Sequence, residues 1–271
     1  MSSLENVRID EYSFNGVSFR LIDPDGSVEK ETTPGMNYEP SVTTLLDDIF
    51  RNSSYCFSDV GAHYGYYTVY VDKLSPDSTI LSFEPGAKHL EVLRTNLLVN
   101  NVSSQVYDLA LSDETKDIPF HNRTMKVEEG QDIEVVKAIQ FDELCSRDGL
   151  TPEVVKIDVH GAEGKVLHGM RKALRKFVVH LLIEIHAAHL LVDYTHQQVL
   201  DLLLETGFTV FELENFRDTD RPKLVLVTDK VYESFVNPGN WTNDQINRER
   251  MIFATKSPES FRDYCEVTLT D

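Results

Sequence analysis

The chain has 271 residues, of which 41% are hydrophobic, and 26 Lys and Arg residues against 45 Asp and Glu residues give a formal net charge of −19. A surface this acidic repels phosphate backbones, which disfavours binding to DNA or RNA. No stretch approaches about eighteen consecutive apolar residues, so we expect no transmembrane segment. The start has no leader pattern, and the three cysteines are far apart and lack the spacing of metal ligands. We therefore expect a cytoplasmic protein with reduced thiols.

The first half of the chain predicts an N-terminal extension followed by alternating strands and helices. VSFRLI (17–22) and the following DPDG predict a strand and turn of a hairpin, and TTLLDDIFR (43–51) predicts a helix capped by Ser41 or Thr43. Strands are then predicted at 55–60, 79–85 and 104–113. A helical stretch that ends at about Leu74 is predicted after the first strand, and a helix at 88–100 after the second.

The second half continues this alternation after a polar stretch, 114–137, which predicts an inserted hairpin or a flexible loop. Helices are predicted at 141–149, 162–176 and 196–207, and strands at 153–161, 177–186, 208–215, 223–229 and 251–256. Strands that alternate with helices indicate a doubly wound α/β fold with a mostly parallel sheet. We expect one structural domain, in which residues 1–52 pack on a core formed by residues 53–271.

The stretch DVGAHYGYYT (59–68) follows a predicted strand and resembles a nucleotide-binding turn. The dinucleotide fingerprint G-x-G-x-x-G is incomplete because His63 occupies its second glycine position, which disfavours NAD and FAD. Gly61 suits a tight turn and Gly65 permits close approach of a ligand. Amides at the start of the next helix would hold a small anion such as an amino-acid carboxylate, and Asp59 would meet an ammonium group.

Glu84 ends the next predicted strand, where an acidic residue of a doubly wound fold accepts hydrogen bonds from ribose hydroxyls. One site that binds an amino-acid carboxylate, an ammonium group and ribose hydroxyls is suited to S-adenosylmethionine. Tyr67 lies among three tyrosines that offer aromatic surface to a sulfonium. The predicted cofactor-binding residues are Asp59, Gly61, Ala62, His63, Gly65, Tyr67, Thr68, Glu84, Pro85 and Ala110.

Seven segments in order resemble the FkbM family of S-adenosylmethionine-dependent methyltransferases. They are YEPSVTTLL (38–46), DVGAHYGYYT (59–68), FEP (83–85), ALSD (110–113), KIDVHGAEGKVLHGM (156–170), IEIH (183–186) and, loosely, MIFATK (251–256). The resemblance implies a Rossmann-like class I fold with a seven-stranded sheet and one antiparallel strand near its edge. It also implies O-methylation of a hydroxyl or carboxyl on a glycan sugar or a natural product. The family commonly has asparagine in place of His63 and glutamate in place of His160.

The candidate catalytic residues follow the two central strands. Asp158 ends one strand at the edge where open α/β sheets bind ligands, and Glu184 and His186 end the next. Their spacing of two places both side chains on one face of that strand, where a base could remove a proton from the acceptor. Glu163 is interpreted as a favourable charge in the first turn of a helix.

Four alternatives remain open at the level of sequence. The same acids and His186 could hold Mg²⁺ or another divalent ion, but no local ligand motif is present and we expect no metal. Methylation of nitrogen on a small molecule and S-adenosylmethionine binding without turnover are the competing functions. Polar residues of 114–132 and 215–222, namely His121, Arg123, Arg217 and Arg221, could hold an acidic or hydroxyl-rich acceptor or simply charge the surface.

Overall fold

A computed structural model describes residues 9–26, 28, 38–121, 123–128, 130–228 and 249–265. The last residue of the predicted strand 223–229 lies outside these ranges. No helix within the described ranges is both long enough and apolar enough to cross a membrane.

Strands and helices alternate along much of the described chain, as the sequence predicts, although several strands follow one another without a helix between them. The strands are β1 (Ile9–Phe14), β2 (Val17–Ile22), β3 (Cys56–Val60), β4 (Thr79–Phe83), β5 (Gln105–Tyr107), β6 (Ala110–Leu111), β7 (Lys116–Phe120), β8 (Glu134–Ile139), β9 (Val154–Ile157), β10 (His180–Ile185), β11 (Thr209–Glu214), β12 (Lys223–Leu226) and β13 (Arg250–Thr255). The helices are α1 (Pro40–Phe50), α2 (Tyr66–Leu74), α3 (Ala87–Asn100), α4 (Phe141–Asp148), α5 (Glu163–Gly169), α6 (Arg171–Lys176) and α7 (His196–Glu205). A 3-10 helix, Pro258–Tyr264, follows β13.

Within the described residues, the central sheet has eight strands in the order β12-β11-β13-β10-β9-β3-β4-β5. Its centre from β10 to β5 is parallel, whereas β13 pairs antiparallel with both β10 and β11, and β12 pairs antiparallel with β11. The expectation of seven strands with one reversed strand is therefore wrong. The additional strand is β12, which returns beside β11 and occupies the edge of the sheet.

The central strands separate two apolar layers because successive side chains point to opposite faces. In β10, Leu182 packs in a layer with side chains from α1, α2 and α3. Its neighbours Leu181 and Ile183 pack in the opposite layer with side chains from α4, α5, α6 and α7. Every residue of β9 and β10 is buried, as the almost wholly apolar sequence of β10 predicts.

The predicted third strand, 104–113, is divided between two sheets. β5 joins the central sheet, but β6 pairs with β8 in a separate three-stranded sheet of order β6-β8-β7. β7 and β8 form an antiparallel hairpin, which confirms the hairpin alternative for 114–137. This small sheet lies beside the carboxyl end of β4, where Phe120 reaches a cleft in the central sheet.

Two helix predictions differ from the structure. The predicted helix 162–176 is two helices, because fully buried Met170 adopts φ −121° and ψ 20° between them. Neither Ser41 nor Thr43 caps α1, since their hydroxyls donate to the carbonyls of Thr219 and Tyr38. The helix begins at Pro40 instead, a residue whose fixed φ suits a first helical position.

The N-terminal hairpin turns earlier than predicted and is fastened to α3 by side-chain amides. Its turn is Asn15-Gly16, with φ values of 46° and 84°, whereas DPDG follows the second strand. Asn96 accepts a hydrogen bond from the Ile22 amide at 2.7 Å and donates to the Ile22 carbonyl at 3.1 Å. It also donates to the Tyr64 carbonyl at 2.8 Å, so one buried side chain joins the hairpin, α3 and the turn before α2.

We expect Asn96→Ala to lower the free energy of unfolding by about 1–3 kcal/mol, because it leaves buried polar groups of Ile22 and Tyr64 without their partner. Urea denaturation would measure the change. Leu98→Ala on the same helix is the matched control, since Leu98 is 78% exposed. Equal stability of the two variants would contradict the clamping role of Asn96.

Candidate active site

One cleft opens at the carboxyl ends of β3, β4 and β9, where the rule for open α/β sheets places a ligand. Its apolar part is formed by side chains that include Phe83, Leu109, Phe120 and Met125. The predicted site residues that line it are Gly61, His63, Glu84, Pro85, Ala110 and Asp158. The cleft therefore joins half of the predicted cofactor residues with one of the three predicted catalytic residues.

Glu84 is held rigidly at the edge of this cleft. Its side chain is buried, and its Oε2 accepts a hydrogen bond from the His63 amide at 2.9 Å. Its Oε1 accepts from the Gly86 amide at 2.8 Å and lies 3.6 Å from Nδ1 of His89. Because each carboxylate oxygen has two lone pairs, each retains one acceptor site for a ligand.

The glycine turn is shaped mainly by packing of the protein on itself. Gly61 has φ 81°, and a Cβ there would lie 1.9 Å from the Asp158 carbonyl oxygen, so no other residue fits between β3 and β9. The amides of Gly61 and Ala62 both donate to the Phe83 carbonyl at 3.0 Å. These two amides of the turn are thus already hydrogen-bonded within the protein.

The remaining predicted cofactor residues lie behind the cleft lining. Oδ2 of Asp59 accepts hydrogen bonds from the amide and the hydroxyl of Thr68, at 3.1 and 2.7 Å, which fixes the first turn of α2 to the end of β3. Burial raises the pKa of Asp59, although the charge of Lys156 opposes this effect. Gly65, at φ 86°, packs beneath Leu93, where a Cβ would lie 2.5 Å from Cδ1.

His63 holds its imidazole in the cleft from a left-handed backbone conformation, φ 48°. Histidine and asparagine are enriched several-fold among residues with this conformation. The ring stacks on Tyr64 at a centroid distance of 3.7 Å, and Nε2 lies 2.9 Å from a guanidinium nitrogen of Arg123. Burial and the adjacent Arg123 lower the pKa of His63 to about 2, so the ring is neutral and Nε2 accepts the hydrogen bond.

Asp158 and His186 meet where β9 and β10 end. His186 is 1% exposed, its Nδ1 lies 2.7 Å from Oε1 of Glu163, and its Nε2 lies 3.9 Å from Oδ1 of Asp158. Burial opposes a positive charge on His186, but the hydrogen bond to Glu163 and its charge raise the pKa of the ring. Burial likewise opposes ionisation of Asp158, yet the charge of Lys156 holds its pKa below the usual range. Both side chains are therefore arranged to carry charge.

A buried ion network extends from this pair beneath the cleft. A guanidinium nitrogen of Arg217 contacts Glu184 at 2.7 Å and Glu39 at 3.3 Å, and a second contacts Glu249 at 2.8 Å. The ammonium of Lys156 lies 3.4 Å from Oδ2 of Asp158. Burial raises the pKa values of Glu39 and Glu184, which makes their pairing with these two cations essential for the charged forms.

The four polar residues of 114–132 and 215–222 that could hold an acceptor lie in different surroundings in the structure. Arg123 lines the cleft, whereas Arg217 belongs to the buried ion network. His121 contacts the Asp132 carbonyl through Nδ1 at 2.7 Å and Arg221 is exposed. Tyr67 also turns inward, where its hydroxyl donates to Glu39 and its ring lies 4.8 Å from the Lys156 ammonium.

Sequence reasoning missed Glu39 and Lys156 and gave Glu163 only a helix-stabilising role. The sequence contains an indication for Lys156, because a lysine within the apolar strand β9 must find a buried partner. The part of Glu163 in orienting His186 depends on a contact between residues 23 positions apart, which no local pattern predicts.

A neutral, partly buried His63 makes the free energy of unfolding depend on pH in a defined direction. The unfolded chain binds a proton at this residue near pH 6.5, whereas the folded chain does not until about pH 2, so stability falls as pH decreases below 6.5. Between pH 7 and pH 5, we expect the wild type to lose about 1–2 kcal/mol relative to His63→Asn.

Chemical denaturation at the two pH values would measure that difference, with His189→Asn as the control because His189 is exposed. A pH dependence that is the same in the wild type and in His63→Asn would refute the neutral state of His63.

Comparison with known proteins agrees with this architecture. A model of the methyltransferase FkbM domain matches residues 59–210. The chain is similar to the solved structure of a SAM-dependent methyltransferase from Agrobacterium tumefaciens, at 11% identity and a TM-score of 0.50, over 94% of this chain and 72% of that one. No curated protein matches with significance.

Two further solved structures are similar at lower TM-scores. Methyltransferase FkbM from Methylobacillus flagellatus KT is 15% identical at a TM-score of 0.46, over 74% of this chain but 43% of that one, so this chain spans less than half of that protein. A putative O-methyltransferase from Klebsiella pneumoniae is 14% identical at a TM-score of 0.47, over 87% and 91% of the two chains. Because the FkbM domain match covers more than half of its residues, this chain belongs to the FkbM methyltransferase family.

Proposed function

We propose that the protein transfers a methyl group from S-adenosylmethionine to a hydroxyl or carboxyl oxygen of a sugar, glycan or natural-product acceptor. The observation that carries this proposal is the single cleft that joins Glu84, at the end of β4, to Asp158, just beyond the end of β9. A carboxylate suited to a ribose and a charged group suited to an acceptor are thereby placed in one cavity, as transfer between two bound molecules requires.

The cofactor would bind on the β4 side of the cleft. Each oxygen of Glu84 already accepts one backbone amide, and the remaining lone pairs suit the two ribose hydroxyls. Leu109, Phe120 and Met125 form an apolar wall that can receive the adenine ring. In this arrangement Gly61 lets the chain pass closely behind the cofactor, while Asp59 and Thr68 hold the turn in place.

The acceptor would bind on the β9 side, beside Asp158. Its Oδ1 is buried and has no hydrogen-bond partner within the described residues, so it can accept a hydrogen bond from an acceptor hydroxyl. The charged ring of His186 lies 3.9 Å from this oxygen and favours the ionised form of Asp158, while Glu184 and Arg217 fix the charge balance around the pair. We propose Asp158 as the catalytic residue in contact with the acceptor, and His186 and Glu184 as residues that position and charge it.

Arg123 supports an acceptor that carries negative charge. Its guanidinium lines the cleft and donates to the neutral ring of His63, so its positive charge is not neutralised by that contact. An acidic sugar or another carboxylate-bearing acceptor could pair with this charge as its hydroxyl reaches Asp158.

We expect Glu84→Gln to weaken S-adenosylmethionine binding by about 10- to 100-fold, because an amide cannot replace both charged acceptors of a ribose. Isothermal titration would measure the affinity, and Glu91→Gln on exposed α3 surface is the matched control. Binding of NAD in place of S-adenosylmethionine would rule out the proposed cofactor.

We expect His186→Ala to reduce turnover by about 10²- to 10⁴-fold with S-adenosylmethionine affinity largely retained, because the residue lies on the acceptor side. The measurement is transfer of a labelled methyl group in a screen of glycans, glycolipids and small hydroxylated acceptors. A variant that keeps full turnover but loses the cofactor would reverse the proposed sides of the cleft.

A further inference from the structure

Asp158, His160 and His186 surround a point beside the cleft. One side-chain ligand atom from each residue lies within 4.8 Å of the other two. Asp158 and His160 follow β9 and line the cleft, whereas His186 approaches from the end of β10. Metal–nitrogen and metal–oxygen bonds of about 2.0–2.2 Å place neighbouring ligand atoms about 3.3 Å apart, so these side chains would need to move by only about 1 Å to share an ion.

The surroundings of His186 match those of a metal-binding histidine. Such a ring usually gives one nitrogen to the metal and holds the other against a carboxylate, which fixes its orientation. Nδ1 of His186 lies 2.7 Å from Oε1 of Glu163, and the same oxygen accepts the Gly161 amide at 2.9 Å. Nε2 consequently points toward Asp158, whose Oδ1 is 3.9 Å away and too distant for a hydrogen bond.

Two further features leave this point suited to a ligand. Oδ1 of Asp158 is buried without a hydrogen-bond partner in the described part of the chain, an arrangement that a native protein normally avoids. His160 adopts a left-handed backbone conformation with φ 48°, and a hydrogen bond from the Thr124 hydroxyl to its carbonyl holds it there. Uncommon backbone conformations of this kind are concentrated at functional sites.

The local charge also favours a cation. The carboxylates of Glu39, Asp158, Glu163 and Glu184 lie around the ends of β9 and β10, and all except partly buried Asp158 are buried. Within the described residues, the permanent cations of this network are Lys156 and Arg217, so carboxylates exceed them. A divalent ion would offset this excess at the one carboxylate oxygen that has no partner.

A second group of possible ligands, formed by Glu184, His186 and Glu249, is less suitable. Arg217 already occupies both of its acids, through contacts of 2.7 Å to Glu184 and 2.8 Å to Glu249. A metal ion there would have to displace a guanidinium or lie against it. The group around His160 has no such competitor on Oδ1 of Asp158.

We propose that Asp158, His160 and His186 bind one divalent transition-metal ion at the acceptor side of the cleft, with Glu163 orienting His186. Two imidazole nitrogens and one carboxylate oxygen suit Zn²⁺, Co²⁺, Mn²⁺ or Fe²⁺ and leave positions open for an acceptor oxygen. An acceptor hydroxyl bound to the ion would lose its proton more easily. This inference goes beyond the proposed function and replaces both the expectation of no metal and the direct contact between Asp158 Oδ1 and the acceptor hydroxyl. Ion binding can be measured without turnover.

The test is titration of the full chain, freed of metal with a chelator, with Co²⁺ followed by visible absorption and calorimetry. We expect one Co²⁺ per chain, displaced by Zn²⁺, with affinity at least tenfold lower in His160→Ala and in Asp158→Asn. Glu163→Gln should weaken binding about 10- to 100-fold, as loss of an orienting carboxylate does elsewhere. His189→Ala is the control and should bind Co²⁺ as the wild type does.

Circular dichroism of each variant separates loss of the ligand from loss of the fold, and His160→Ala removes a side chain that is only partly buried. Absence of stoichiometric Co²⁺ binding by the wild type would overturn the proposal, as would equal affinity of the wild type and folded His160→Ala. S-adenosylmethionine binding in the same preparations shows whether the proposed cofactor site fails independently.

Discussion

The site depends on one constraint, which is that a lysine ammonium is buried within the central sheet. Lys156 is 2% exposed, and its charged form is costly unless negative groups surround it. The carboxylates of Asp158, Glu39, Glu184 and Asp59 supply that compensation and raise its pKa despite burial. The acids that define the candidate catalytic centre are therefore also the groups that allow β9 to carry a charge through the core.

This requirement brings distant parts of the chain together. Glu39 reaches the network from a left-handed residue directly before α1, with φ 41°, and Arg217 reaches it from the connection between β11 and β12. Removal of one member would leave a buried charge without a partner, which is far more costly than loss of an exposed ion pair. The position of the Asp158 side chain beside the cleft therefore depends on the whole ion network and not only on the local turn after β9.

Much of the fold could be predicted from the sequence because its determinants are local. The continuous apolar run of β10 and the amphipathic periodicity of α7 predict these two elements, whereas the polar stretch 114–137 predicts the hairpin of β7 and β8 only as one of two alternatives. The carboxyl ends of adjacent parallel strands meet at one edge, which explains why Glu84 and Asp158 could be placed in one cleft. The partners of Glu163 and Lys156 lie in other segments, so their roles as orienting group and charge centre required the tertiary structure.

Two histidines, His63 and His160, line the cleft from the same uncommon backbone conformation. His63 and His160 both have φ 48° and both follow strands whose ends form the cleft, one after β3 and one after β9. Burial lowers the pKa of each, so both present neutral imidazoles that can accept a hydrogen bond or bind an ion. On the β3 side that nitrogen is already used by Arg123, whereas on the β9 side the ring lies 4.5 Å from His186. The same left-handed backbone conformation thus places His63 where it accepts a hydrogen bond from Arg123, and places His160 where its ring is able to bind a metal ion from solution.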